Sequence, residues 1–236
     1  MTDAIISAAT RTFADKTIAE AKNAFDAFRD TGTITAYGTV GFIERVPGES
    51  LLVSVNYAGP FERDKPLTAD IITLDGRVLE GRGGASRFAA VFAAQPDITS
   101  LSHVHTPNLG AWAQTHRSLP ITYVPVQRFK LVRELPIYID RRVDEADFII
   151  AALEEDPRTP AILEANGGAT VWGWKGLRDL AEFILLLEEG ADIAIRAEAI
   201  GGSRTFGPGV LRQQWKMSGL YDTALQEGLL PATDRY

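Results

Sequence analysis

Apolar residues recur at offsets of three and four near the start of the chain, where Ala21, Ala24, Phe25 and Phe28 sit among charged neighbours. That period predicts an amphipathic helix over residues 4–29, ending near Gly32. Beyond residue 34 the period shortens. The runs AYGTVGFIERV, SLLVSVNYA and ADIITLDGRVLEG are rich in β-branched and aromatic residues and are parted by Pro-Gly, Gly-Pro and Asp-Gly turns. They predict an antiparallel meander over residues 34–79. A Gly-rich loop at 81–84 leads into SRFAAVFAAQPD, read as a helix capped by Ser86 that stops before Pro96. The strand SLSHVHT follows, then a helix over 108–115, strand-like pieces at 123–129 and 136–139, and a helix at 144–155. AILEANGGATVWGW has the texture of a buried hairpin closed by Asn166, Gly167 and Gly168. A long helix over 177–200 places Leu180, Ile184 and Leu187 on one face, and the tail from Gly209, with Trp215, Tyr221 and Tyr236, is expected to be helical in part. No repeat, low-complexity tract or linker divides residues 1–236, so the pattern predicts one α/β layered domain with a mostly antiparallel sheet.

Composition narrows the function classes. Acidic residues outnumber basic ones, 31 to 24, for a formal charge of −7 without a long basic run. Nucleic acid and anionic membrane surfaces are therefore poor partners, and small molecules or proteins better ones. No apolar stretch approaches the roughly 20 residues that span a bilayer. The first residues mix charge into apolar positions, unlike a secretion signal, which predicts a cytoplasmic protein. The absence of cysteine removes disulfides, thiol nucleophiles, iron–sulfur clusters and cysteine zinc sites. Any metal must be held by His, Asp, Glu or neutral donors.

The chain's 3 histidines, His103, His105 and His116, fall within one short segment. In HVH on a strand, residues i and i+2 share a face, so both imidazoles can converge on one point as a metal requires. A pair of half-buried, hydrogen-bonded strand histidines has the same spacing, and the pattern alone leaves both readings open. His116, between a helix and Arg117, reads as a surface or structural residue. Trp172 and Trp174 read as core and interface filler. Gly81, Gly83 and Gly84 could cradle an anion, although the lysine of a P-loop is missing.

The segment AAQPDITSLSHVHTPNLGAWA resembles the class II aldolase/adducin family, in which an Arg-Pro-Asp turn leads to a strand bearing His-x-His and a proline. ILEANGGATVWG is similar to the family hairpin carrying Asn-His-Gly, and the long helix after it also matches. The resemblance covers nearly the whole chain. It implies a three-layer α/β/α domain with a mostly antiparallel central sheet, His103 and His105 as metal ligands, and assembly as a homotetramer with sites between subunits. Three positions depart from the family pattern. Gly167 stands where the family has its third metal-binding histidine. The register of the family's acid/base glutamate holds Gly84, Ala85, Ser86 or Arg87, none of them a carboxylate. The early-strand phosphate motif Gly-Asn-x-Ser reads Gly38, Thr39, Val40, Gly41, which argues against a phosphorylated substrate.

What remains defines the candidate chemistry. Glu164, Gln127 or water would complete the coordination of zinc, manganese or iron beside the two imidazoles; a surface hairpin carboxylate is the plainer reading of Glu164. Arg87 would clamp a substrate carboxylate, or else is an exposed arginine at a helix start. Tyr123 resembles a family active-site tyrosine and could relay a proton, or is a half-buried strand residue. Three functions fit these residues. The first is a metal-dependent lyase cleaving a carbon–carbon bond of a small non-phosphorylated oxo-acid or hydroxy-acid, by decarboxylation or aldol-type cleavage. The second is an iron-dependent oxidative decarboxylase, as in relatives acting on aromatic oxo-acids. The third is an adducin-like scaffold without catalysis.

Overall fold

The computed structural model describes residues 6–230. The first helix, α1 (Ala8–Asp30), starts where the Ser7 hydroxyl accepts from the Thr10 amide at 3.0 Å. It buries Ala21, Ala24, Phe25 and Phe28, the face its periodicity predicts. Residues 4 and 5 of the expected helix lie outside the described residues, as does Tyr236. The meander follows as β1 (Val40–Arg45), β2 (Leu51–Asn56), β3 (Ala69–Thr73) and β4 (Val78–Glu80).

Ser86 does not cap a helix. Residues Ser86–Phe88 form a single 3-10 turn whose N-cap is Ala85, and α2 (Ala89–Ala94) begins only afterwards, stopping short of Pro96. Arg45 donates to the carbonyls of Ile98 and Gln95 at 2.9 and 3.1 Å, tying β1 to the end of that helix. The chain continues through β5 (Ser100–Val104), α3 (Pro107–Ala113) and β6 (Leu119–Pro120).

The expected strand at 123–129 is instead α4 (Val124–Phe129). Val-Pro-Val alternates like a strand, yet proline is tolerated in the first turn of a helix, where its missing N–H costs nothing. Phe129 then stacks on Phe183 with ring centroids 5.2 Å apart. Next come β7 (Glu134–Leu135), β8 (Ile137–Tyr138), α5 (Glu145–Glu155), β9 (Ala161–Glu164), β10 (Ala169–Gly173), α6 (Leu177–Glu198), α7 (Pro208–Ser218) and α8 (Tyr221–Gln226).

Among the described residues, eight strands form one sheet in the order β4-β3-β2-β1-β5-β10-β9-β8, antiparallel throughout except for β8 on β9. Alternate side chains feed two cores. Phe42, Val53, Val104 and Val171 point toward α1, α3 and α6, while Ile43, Leu52, Leu101 and Trp172 point toward α2 and α5. The result is the three-layer α/β/α arrangement with a mostly antiparallel sheet. Glu44, also on β1, faces the first layer and accepts a backbone hydrogen bond at the start of α6; burial, then the nearby Glu20, push its pKa up to about 8. No described helix is long and apolar enough to cross a membrane.

The tail from Gly209, with its aromatic Trp215 and Tyr221, forms α7 and α8. Trp215 is covered within its own chain, at 3% exposure, by Leu211, Ala224 and the flanking Tyr221. The tail is long enough for two helices, and α7 lies against α4.

Candidate metal centre

The HVH segment lies at the end of β5, the central strand between β1 and β10. His103 pairs across to Gly41 on one side and Thr170 on the other. His105 follows just past the strand, held by its backbone N–H donating to the Thr39 carbonyl at 2.8 Å. Both rings project from the α2/α5 face, their centroids 5.2 Å apart. What fixes the turn after them is remote in sequence. Glu188 of α6 accepts from the Thr106 hydroxyl and from the amides of Asn108 and Leu109, at 2.7 and 3.0 Å for the two amides. A carboxylate at the N-terminus of α3 satisfies donors the helix leaves unpaired and suits its dipole.

Glu164 comes from the adjacent hairpin. Its turn is pressed onto β5: a Cβ at Gly168 would lie 2.2 Å from the Val104 carbonyl oxygen and 2.8 Å from His105. Only glycine fits there. Asn166 adopts the left-handed conformation at φ 57, and His116 Nε2, itself on a residue at φ 55, donates to its side-chain oxygen at 3.2 Å. His116 is thus a structural tie between the end of α3 and the hairpin.

Glu164 is no surface carboxylate. It is 3% exposed, with Oε1 2.8 Å from His103 Nδ1 and 3.0 Å from the Thr170 hydroxyl, and Oε2 3.4 Å from Arg141. A second buried carboxylate, Glu145 in the first turn of α5, accepts from the Thr170 hydroxyl and lies 3.6 Å from His103 Nδ1 and 3.7 Å from Arg87. Sequence reasoning did not single out Glu145, Thr170 or Arg141. An acidic residue in a helix's first turn is ordinary dipole complementation, so VDEADF carries no signal of a site.

Charge in the cluster follows from these contacts. Burial opposes a charge on His103, but hydrogen bonds to Glu145 and Glu164 and their negative charge override it and raise the imidazole pKa well above the ordinary value. Burial would raise Glu164, and its hydrogen bond to His103 with the charges of His103 and Arg141 holds it low instead. His105 is lowered, first by burial and then by the charge on His103, which keeps it neutral with a lone pair to offer.

The donors of His103, His105 and Glu164 all lie within 4.8 Å of one another. Two imidazoles and a carboxylate suit a divalent first-row ion, so these residues fit the metal that the histidine pair implies. Gln127 does not join them: it is 1% exposed and its amide donates to the Ile121 carbonyl at 2.8 Å in the opposite layer. Tyr123 also packs in that opposite layer, against Gly190 and bonded to Glu189 of α6, so within one chain it does not reach the histidines.

Arg87 does border the site. Its guanidinium lies 4.5 Å above the Phe88 ring and lines, with His103, a cleft of about 540 Å³. The Gly-rich loop beside it holds an internal anion in place of a ligand. Asp70 accepts from the amides of Arg82 and Gly83 at 3.0 and 2.8 Å, and a Cβ at Gly81 would collide with it at 2.0 Å. Those amides are therefore spent on the protein itself. Trp172 is fully buried in the α2/α5 core, as expected of filler.

A layered α/β sheet with paired histidines on its central strand is the arrangement that the resemblance to the class II aldolase/adducin family implies. Residues 16–195 match the Class II Aldolase and Adducin N-terminal domain, and the chain belongs to that family. No curated protein sequence matches it. Among solved structures it is similar to an L-fuculose 1-phosphate aldolase, with a TM-score of 0.70 at 14% identity over 86% of this chain and 95% of that one. It is similar to YgbL from Escherichia coli, with a TM-score of 0.66 at 18% identity over 86% and 97%. The L-fuculose 1-phosphate aldolase from Glaciozyma antarctica PI12 aligns with a TM-score of 0.65 at 17% identity over 98% and 92%. At these identities the likeness establishes the fold.

Proposed function

We propose that the protein is a metal-dependent lyase that cleaves a carbon–carbon bond in a small, non-phosphorylated oxo-acid or hydroxy-acid. The observation that carries this reading is the convergence of His103, His105 and Glu164 beside a cleft whose lining includes Arg87. A bound divalent ion would supply a Lewis acid for the substrate's carbonyl oxygen. The chain's own groups do the rest. Arg87 pairs with Glu145 at 3.7 Å, and its side chain, 54% exposed, keeps outward-facing donors that would take a carboxylate in a charge-assisted pair. Glu145 and Thr170 hold the His103 ring in place, as outer hydrogen-bond partners of metal-ligating histidines do. With no carboxylate at the family's acid/base register, decarboxylation, which needs no base there, is favoured over aldol cleavage.

Iron-dependent oxidative decarboxylation, with dioxygen as oxidant, is the second reading. The donor set favours it, because two histidines and one carboxylate with open positions is the ligand pattern of non-haem iron oxygenases. A non-catalytic scaffold is disfavoured by the buried charge cluster, which costs folding free energy and has no packing role that apolar residues would not fill better.

Elemental analysis of protein purified without added metal or chelator is the test, followed by assay of oxo-acids with and without dioxygen. Zinc or manganese at one ion per chain supports the lyase, and iron supports the oxidative reading. Replacing both His103 and His105 by alanine should abolish loading while the fold survives; unchanged metal content would refute the site. We further propose a homo-oligomer, a tetramer by family resemblance, with the C-terminal residues from about 209, such as Tyr221, at the subunit interface. Light scattering showing a monomer at micromolar concentration counts against it.

A further inference from the structure

The cleft that contains Arg87 and His103 is built mainly from residues 36–41 and 56–62, the stretches around the start of β1 and the end of β2. Four aromatic side chains, Tyr37, Tyr57, Phe61 and Phe88, contribute to its lining. Tyr57 and Phe88 are fixed in place. Tyr57 packs edge-on against Phe25 with centroids 5.5 Å apart, and the backbone of Gly38 lies so close that a Cβ there would meet its ring at 2.6 Å. Phe88 is 2% exposed, under the Arg87 guanidinium and 6.1 Å from the His103 ring. Tyr37 and Phe61, which line the same cleft, are free: they are 86% and 97% exposed. Two large aromatic side chains are thus left in water around this one cleft, where a ring entering between them would remove apolar surface from water.

Its polar lining is Thr39, Asn56, His103, Arg87 and Glu62; Glu62 is paired with Lys65, and Arg87 with Glu145 at 3.7 Å. A phosphate would need several converging donors, and the amides of the neighbouring Gly-rich loop are already occupied by Asp70. Beside Arg87, the site of a carboxylate, lies a space bounded by aromatic rings and within the volume range of ordinary small-ligand pockets.

We infer that Tyr37, Tyr57, Phe61 and Phe88 form a subsite for an aromatic ring, so that the substrate is an aryl-substituted oxo-acid whose carboxylate pairs with Arg87. This rests on the reading of the site as a metal-dependent enzyme for oxo-acids. Tyr57 and Phe88 supply a rigid floor. Tyr37 and Phe61 supply a rim that loses its exposure when a ring enters, and they are the residues that set specificity.

Calorimetric titration of the metal-loaded full chain with pyruvate and with phenylpyruvate separates the two readings. Phenylpyruvate should bind at least about tenfold more tightly, the contribution of burying its ring. Tyr37→Ala and Phe61→Ala should each cut that preference several-fold; both side chains are exposed, so the fold is not at stake, and an unchanged melting temperature checks this. Arg87→Met should weaken both acids alike. Equal binding of the two acids, or a preference that survives in both rim variants, overturns the subsite and leaves the metal-centred reading standing. A lost preference accompanied by dissociation in light scattering assigns the rim to a subunit contact and also overturns it. Failure of both acids to bind overturns the underlying reading, and the subsite with it.

Discussion

Glu188 of α6 ties down the turn that follows the histidine-bearing strand β5, and Glu188→Ala is the sharpest test of how the candidate site is held. The carboxylate is 6% exposed and serves three donors, the Thr106 hydroxyl and the amides of Asn108 and Leu109, directly after His105. A hydrogen bond to a charged partner contributes about 1.5–3 kcal/mol, but the three share one acceptor group and do not simply add. Removing it forfeits the charge-assisted bonds and strands the buried Leu109 amide as well, so a loss of about 3–5 kcal/mol is expected. That is a large fraction of the 5–15 kcal/mol typical of a domain. For a chain of this size it corresponds to a fall in Tm of about 6–20 °C. Urea denaturation and thermal melts of parent, Glu188→Ala and Glu188→Gln measure it, with zinc titration as a second readout. The glutamine variant keeps one carbonyl acceptor and should fall between the other two. Because the tether sits next to His105, Glu188→Ala should also weaken zinc binding. An alanine variant as stable as the parent, with unchanged zinc affinity, would refute the argument that this carboxylate organises the turn.

Zinc must displace the proton that Glu145 and Glu164 hold on His103, so apparent zinc affinity should rise with pH, by up to about tenfold per unit, while that imidazole is protonated; competition against a chelating dye at pH 6, 7 and 8 measures the slope, and a flat profile contradicts it. Gly167→His restores a third imidazole at a residue with no left-handed requirement, its Cβ arriving 3.3 Å from Glu164, so zinc affinity should increase at a modest cost in stability; unchanged affinity means the hairpin cannot aim a side chain at the ion. Glu44, with its pKa raised from an ordinary 4.5 to about 8, holds a proton in the folded chain that the unfolded chain has lost between those values. Stability should therefore fall as pH rises through that window, by up to about 1.4 kcal/mol per unit, and Glu44→Gln should flatten the curve; parallel curves for parent and variant would count against it.

The sequence alone determined the elements whose period is strong and whose caps are local. The α1 and α6 helices, the β1 to β4 meander and the β9–β10 hairpin are legible because burial on one face of a helix or sheet imposes a repeat of 3.6 or 2. Period 2 in HVH likewise put His103 and His105 on one face, while the resemblance to the family hairpin marked Gly167 as the place where a third imidazole would stand. Segments of six residues gave no such guide: Val-Pro-Val-Gln-Arg-Phe is helical because Phe129 finds Phe183, a partner far away in the chain. The same limit separates the candidate site residues. Glu164 became a candidate ligand only because the hairpin turn, with Gly168 against Val104, packs its strand beside β5. Glu145 and Arg141 reached the histidines through α5 and the loop before it, and Gln127 and Tyr123 were carried to the far face of the sheet by α4. A sequence records which residues can ligate, donate or titrate; which of them meet depends on how distant elements pack, because hydrogen bonds and ion pairs act over a few ångströms and no local period encodes those distances.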